Sequence, residues 1–196
     1  MAFWTHTGPG ITEPKRKFRF KVEFMGLEPA AQGAGNTMWY AKSVTKPSFQ
    51  ISAAEHKYLN HTFYYPGSVT WQDVSMTLVD PGDPDMVTSL SSIIVAGGYS
   101  PPANANDMTS MSKSGVVAAL GAVNVHQLDA NGDQLESWTL RNAFITELKF
   151  GDLEYGADEL IELSLTLKYD WATLTPIKNS PSIASAAPCT GVLFTP

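Results

Sequence analysis

Residues 160–171, LIELSLTLKYDW, alternate with a period of two. Ile161, Leu163, Leu165, Leu167, Tyr169 and Trp171 fall on one face, and Glu162, Ser164, Thr166, Lys168 and Asp170 on the other. Such a run predicts a half-buried strand, because successive side chains of extended chain point to opposite sides. Exposing six large apolar side chains would cost about 1.5–3 kcal/mol each, so that face belongs to a core and the polar face to water. Residues 17–24, KFRFKVEF, repeat the pattern, with Phe18, Phe20, Val22 and Phe24 opposite Lys17, Arg19, Lys21 and Glu23.

Further strands are expected over residues 38–44, 57–65, 68–79, 121–128, 134–144 and 145–150. Residues 57–79 read as a long hairpin arm turning at Pro66-Gly67, with Tyr58, Phe63, Tyr65 and Trp71 among its aromatic residues. A bulge at Gln72-Asp73 accounts for a phase shift between Trp71 and Val74. Asn131-Gly132 is the strongest short hairpin signal. One helix is predicted over about 83–96, with Asp83 as N-cap, Pro84 at the first helical position and a stop at Gly97-Gly98. Residues 99–115 read as a loop. Residues 1–14 read as a flexible N-terminal arm, 15–175 as one β domain, and 176–196 as an extension. The fold class is mainly β with one main α-helix, an antiparallel β-sandwich or barrel.

At 196 residues the chain suits one domain with modest extensions and needs no covalent staples. The single cysteine, Cys189, excludes an internal disulfide framework. In a flexible tail it reads as an incidental surface thiol. No apolar run approaches the roughly 20 residues of a membrane-spanning segment, and the N-terminus lacks the pattern of a signal peptide. A net charge of -6 argues against a strongly basic nucleic-acid binder.

No catalytic or cofactor motif emerges. His56 and His61 are five apart, on opposite faces if they share a strand, and too few for a metal site. The run 129–133 mimics the start of a calcium loop, but Gln134 replaces the required glycine and Leu140 the bidentate glutamate. Charge is uneven: Lys15, Arg16, Lys17, Arg19 and Lys21 crowd one segment, and Asp152, Glu154, Asp158, Glu159 and Glu162 another. Two solvated faces, or complementary patches meeting between subunits, both fit this pattern.

Several blocks occur in a distinctive order: F-x-F-x-V-x-F in the first strand, KPSF at 46–49, EHKYLNHTFYYPG at 55–67, W-x-D-V-S-x-T-L-V-D-P at 71–81, the ANGD hairpin and the closing strand. With them the chain, over about residues 16–174, resembles the tail tube proteins of contractile-tailed bacteriophages. The resemblance implies a non-enzymatic subunit whose strands join a continuous β-barrel in a hexameric ring, the rings stacking into a tube inside a contractile sheath. It implies no cofactor. As partners it implies further copies of the chain, the sheath protein, a tape-measure protein, the baseplate hub and the tail terminator, with double-stranded DNA passing through the lumen unbound. The arm residues Tyr58, Asn60, Phe63, Tyr65, Pro66, Gly67 and Trp71 are then expected to reach a neighbour. Glu162, Ser164, Thr166 and Lys168 are expected to face the lumen, and Lys17, Arg19 and Lys21 to meet Asp152, Glu154 and Glu159 between subunits. The inner tube of a bacterial injection device with protein cargo belongs to the same structural class; a monomeric ligand-binding barrel is the reading from a different class.

Overall fold

The alternating segments form two antiparallel sheets with a shared interior. The structure, a computed structural model, describes residues 14–26, 37–38, 40–82, 85–102, 110–156 and 158–177. In chain order the strands are β1 (Phe20–Phe24), β2 (Thr37–Met38), β3 (Ala41–Val44), β4 (Phe49–Tyr58), β5 (His61–Trp71), β6 (Val74–Val79), β7 (Val123–Leu128), β8 (Gln134–Arg141), β9 (Phe144–Lys149), β10 (Glu162–Lys168) and β11 (Trp171–Pro176). The helices α1 (Met86–Ala96) and α2 (Lys113–Leu120) lie between β6 and β7. One sheet has the order β11-β8-β7-β1-β2, the other β3-β6-β10-β9, and among the described residues β4 pairs with β5 alone. Neither sheet closes on itself, which leaves edges for another chain.

The period-two pattern of the closing strand delivers the core. Leu163, Leu165 and Leu167 are at most 1% exposed and stand opposite Leu78, Met76 and Val74 of β6. Val22 and Phe24 of β1, Val123 of β7, Leu140 of β8 and Ala172 of β11 meet them from the other sheet. Met86, Leu90 and Ile93, on one side of α1, join the same cluster. The mainly β fold is thus as the sequence predicts.

Several boundaries differ, each for a local reason. The expected strand 160–171 breaks at Tyr169-Asp170: β10 stays in the four-stranded sheet while β11 crosses to pair with β8. Trp171 is therefore 43% exposed rather than core, and Ile161, which precedes the start of β10, is 38% exposed. The expected strand 38–44 likewise divides between the two sheets as β2 and β3, and strand 134–144 ends at Arg141, before Asn142 takes φ 54. The first strand begins at Phe20, so Phe18 stays 73% exposed. Gln72 and Asp73 are not a bulge within one strand but the crossing from β5 to β6, where the Gln72 amide donates to the Ser48 carbonyl at 2.8 Å.

The cap of α1 is Asp85, whose carboxylate accepts from the Val87 and Thr88 amides at 3.0 and 3.3 Å. Asp83 and Pro84, expected to start this helix, lie outside the described residues. The stop at Gly97-Gly98 is as expected, with Gly98 at φ 105. A second helix, α2, replaces the end of the expected loop 99–115; Ser112 caps it by accepting from the Gly115 amide. The turn after β7 is longer than a two-residue hairpin: Asp129 accepts from the Asn131 and Asp133 amides, and Gly132 takes φ 86. The calcium-like run therefore serves as turn chemistry. The expected N-terminal arm, apart from Pro14, and the extension beyond Ile177, including Cys189, lie outside the described residues.

Candidate assembly surfaces

The arm is longer than the sequence suggests and turns elsewhere. Residues 49–58, expected to be largely connector, form β4, and Tyr58 pairs with His61 across a turn at Leu59-Asn60. Pro66-Gly67 is not the tip. It lies within β5, where Ala53 pairs with Pro66 and Ile51 with Val69, so that Gly67 and Ser68 oppose Ser52 alone. This is a bulge, and both residue types suit it. Proline has no amide to donate to the ladder. A Cβ at Gly67 would lie 2.3 Å from Ser52 Oγ. At about 3.3 Å per residue, the ten residues of β4 span roughly 33 Å. Every residue of β4, and of β5 up to Thr70, is exposed. Tyr58, Phe63, Tyr64 and Tyr65 are 49–66% exposed. Among the described residues the arm is anchored at its base, where Trp71 packs against Phe49 at 5.2 Å and against Tyr169 at 5.8 Å between ring centroids. His56 and His61 stand on different strands of this arm, not on one strand. Among the described residues no three His, Cys, Asp or Glu side chains gather into a possible metal site.

The outer face of the four-stranded sheet carries the expected polar row. Ser164 lies between Thr77 and Lys149, and Thr166 between Ser75 and Glu147. Thr45 and Thr146 hydroxyls donate to the Ser75 and Thr166 carbonyls, each at 3.1 Å. The charges on these strands are matched locally: Lys42 pairs with Glu162, Lys168 with Asp73 at 3.3 Å, and Lys149 with Glu147 at 3.1 Å. These exposed pairs contribute little stability, but they leave a face with no strip of uncompensated charge.

The two charged segments are not simple opposing patches. Lys15 bonds Glu136, which also accepts from Lys46, and Lys21 bonds Glu23 at 2.7 Å. Arg19 places its guanidinium 5.3 Å from the centre of the Phe18 ring. Burial alone would raise the pKa of Glu136; the two lysines outweigh it and hold the carboxyl below its ordinary range. Glu23 behaves alike: burial would raise it, and Lys21 and His126 bring it down. Lys17 has no carboxylate partner among the described residues, and neither do Asp152 and Glu154 a cationic one, whereas Glu159 lies near enough to Lys42 to help hold its charge. Among the described residues the acidic segment reaches Lys42, a residue of neither segment, which bonds Glu162 and lies near Glu159.

Sequence reasoning missed Glu136, Lys42 and Lys46 because their pairings join strands 90 or more residues apart. It also passed over Leu153 and Tyr155, which the structure leaves 83% and 113% exposed. Their place among acidic residues was visible; their lack of any packing partner was not.

No family model and no curated protein matches the chain. Solved structures do match in fold. A chain of the anti-feeding prophage baseplate superposes with TM-score 0.60 at 13% identity, covering 86% of this chain and 99% of that one. A chain of the PVC extracellular contractile injection system, in its extended sheath–tube complex, gives 0.59 at 17% identity over 84% and 93%. A chain of the anti-feeding prophage cap gives 0.62 at 17% identity over 90% and 99%. The chain shares the fold of proteins found in the sheath–tube, baseplate and cap assemblies of contractile injection systems.

Proposed function

We propose that this chain is a structural tube subunit of a contractile tail, assembling as stacked hexameric rings inside a sheath. The observation that carries the reading is the arm. A two-stranded hairpin of this length, with aromatic residues bare on both strands, is at best marginal in water and calls for a second surface. The open sheet edges ask for the same thing, and the likeness to chains of sheath–tube and cap assemblies supports it. In this role the chain performs no reaction; sheath, tape measure, baseplate hub and terminator are its further partners.

The cargo of the proposed tube is double-stranded DNA in the phage reading. The matched charges on the four-stranded sheet support a lining over which a polyanion slides without being held. A second reading, an injection device carrying protein, draws support from the likeness to anti-feeding prophage and PVC chains. Capsid and terminase genes beside the coding gene would decide for DNA.

Sedimentation and negative-stain electron microscopy of the purified chain test the assembly. Six-fold rings or tubes are expected; a compact monomer of 21.2 kDa would overturn the proposal. Replacing residues 54–65 by Asn-Gly, which keeps the base of the arm, should leave folded protein that makes no tubes.

A further inference from the structure

We infer that the loop after β9 is a key that enters a basic groove beside β3 on a second copy of this chain. The inference rests on the tube reading and names one of its contacts. In the four-stranded sheet β3 and β9 are the two opposite edges. The loop leaves β9 with Leu153 and Tyr155 bare, flanked by Asp152 and Glu154, which have no cationic partner among the described residues. Phe150, Leu160 and Ile161 of the same segment are also exposed, and with Leu153 they line one hollow, an apolar patch of the kind that another chain covers.

The groove sits at the other edge, between β3 and the β1–β7 pair, and measures about 540 Å³. Phe18, Phe20 and Val125 supply apolar wall, and Lys17, Lys42 and Lys46 line it with charge. Lys42 and Lys46 are held by Glu162 and Glu136, the latter shared with Lys15, whereas Lys17 has no carboxylate partner among the described residues. Lys15, Lys17, Lys42 and Lys46 against Glu136, Glu159 and Glu162 leave this rim one charge positive. His126, buried in the wall, has an Nδ1 without a hydrogen-bond partner among the described residues.

Key and socket thus match in both respects: apolar side chains beside carboxylates, and apolar wall beside lysines. Glu159, later in the same segment, lies near Lys42 of its own groove, but Leu153 and Tyr155 stay bare in the single copy, so covering them takes a second one. The contact is head-to-tail, the kind that closes into a ring. Rim charges of this sort set register and partner choice more than affinity.

Two charge-reversed chains test the inference: one carrying Lys17→Glu and Lys46→Glu, the other Asp152→Lys and Glu154→Lys. All four side chains are exposed, and circular dichroism with thermal melting checks that each variant folds. Each alone is expected to lose most ring formation. Their equimolar mixture should recover rings, because every contact of an alternating even-numbered ring then pairs opposite charges, an acidic socket with a basic key at one contact and the unchanged basic socket with an acidic key at the next. An independent variant, Leu153→Ser with Tyr155→Ser, should lose rings and not be rescued by mixing. If either reversed chain assembles like the wild type, or the mixture stays unassembled, the inference fails while the tube reading stands. If the wild type itself forms no rings, both fail.

Discussion

Tyr58 and His61 face each other on the last rung of the arm, and the turn between them puts Leu59 at φ 53. A left-handed backbone costs a residue with a Cβ about 1–2 kcal/mol. Glycine removes that strain but loses about 0.5–1 kcal/mol in chain entropy. Leu59→Gly should therefore tighten the tip by about 0.5–1 kcal/mol, slowing amide exchange there a few-fold. Its side chain is 88% exposed, so no packing within the subunit opposes the change. If the change also weakens tube formation, Leu59 is a contact with a neighbour, and its strained turn is retained for that contact.

A second backbone constraint lies where β1 ends against α2. The Gly26 amide donates to the Leu120 carbonyl at 3.0 Å, and the Met25 amide to Ala122 at 2.9 Å. Gly121 caps α2 at φ 68, and a Cβ there would lie 2.6 Å from the Gly26 nitrogen. Strain and backbone clash act together, so Gly121→Ala should cost at least the roughly 1–3 kcal/mol of a strained residue. Urea denaturation measures it; a loss under about 0.5 kcal/mol would show that the two segments can move apart.

The period of two in β10 and the β-rich composition made the class of fold legible, because burying one face of a strand leaves few alternatives. The points where the chain changes sheets were not legible. At Tyr169-Asp170 the alternation continues in sequence, and the turn is set by contacts outside it: Asp170 accepts from Lys113 Nζ at 2.7 and 2.8 Å and from Asn142 at 2.8 Å. The helix α2 escaped because two valines and Gly115 give its eight residues little propensity; its C-terminal end is tied to β1 and its first residue to Asp170. Pro66-Gly67 resembles a hairpin tip in composition, yet the same pair serves a bulge. Of the candidate surfaces, the arm and the polar row were visible, whereas the basic groove exists only once β1, β3 and β7 are side by side.

Acid should weaken the fold through Glu136. Burial pushes its pKa up, and Lys15 and Lys46 push it down further, leaving it below the ordinary 4.5. With the folded value below the unfolded one, the unfolded chain takes the proton first. This contribution is intact above about pH 4.5 and is lost as pH falls through the folded value. Asp170, held low by hydrogen bonds from Lys113 and Asn142, acts in the same direction. Stability measured by urea titration from pH 7 down to 3 should fall in this window, and Glu136→Gln should flatten the decline. An unchanged slope in that variant would place the acid sensitivity elsewhere.

The polar row of β10 offers the sharpest test of the conduit. Glu162 neutralises Lys42, while Ser164 and Thr166 are uncharged and stand beside Lys149 and Glu147. Changing Glu162, Ser164 and Thr166 together to Lys frees Lys42 and adds three cations to a face whose charges are now matched. The apolar side of β10 is untouched, with Leu163, Leu165 and Leu167 still buried, so the fold should persist. If this face lines the lumen, tubes should form but hold passing phosphates, since each neutralised phosphate adds a salt-sensitive term to binding. DNA ejection from a reconstituted particle should slow, and raised salt should restore part of the rate. Normal ejection through confirmed tubes would put this face outside the channel and make the polar side of β1, with Lys21 and Glu23, the better candidate for the lining.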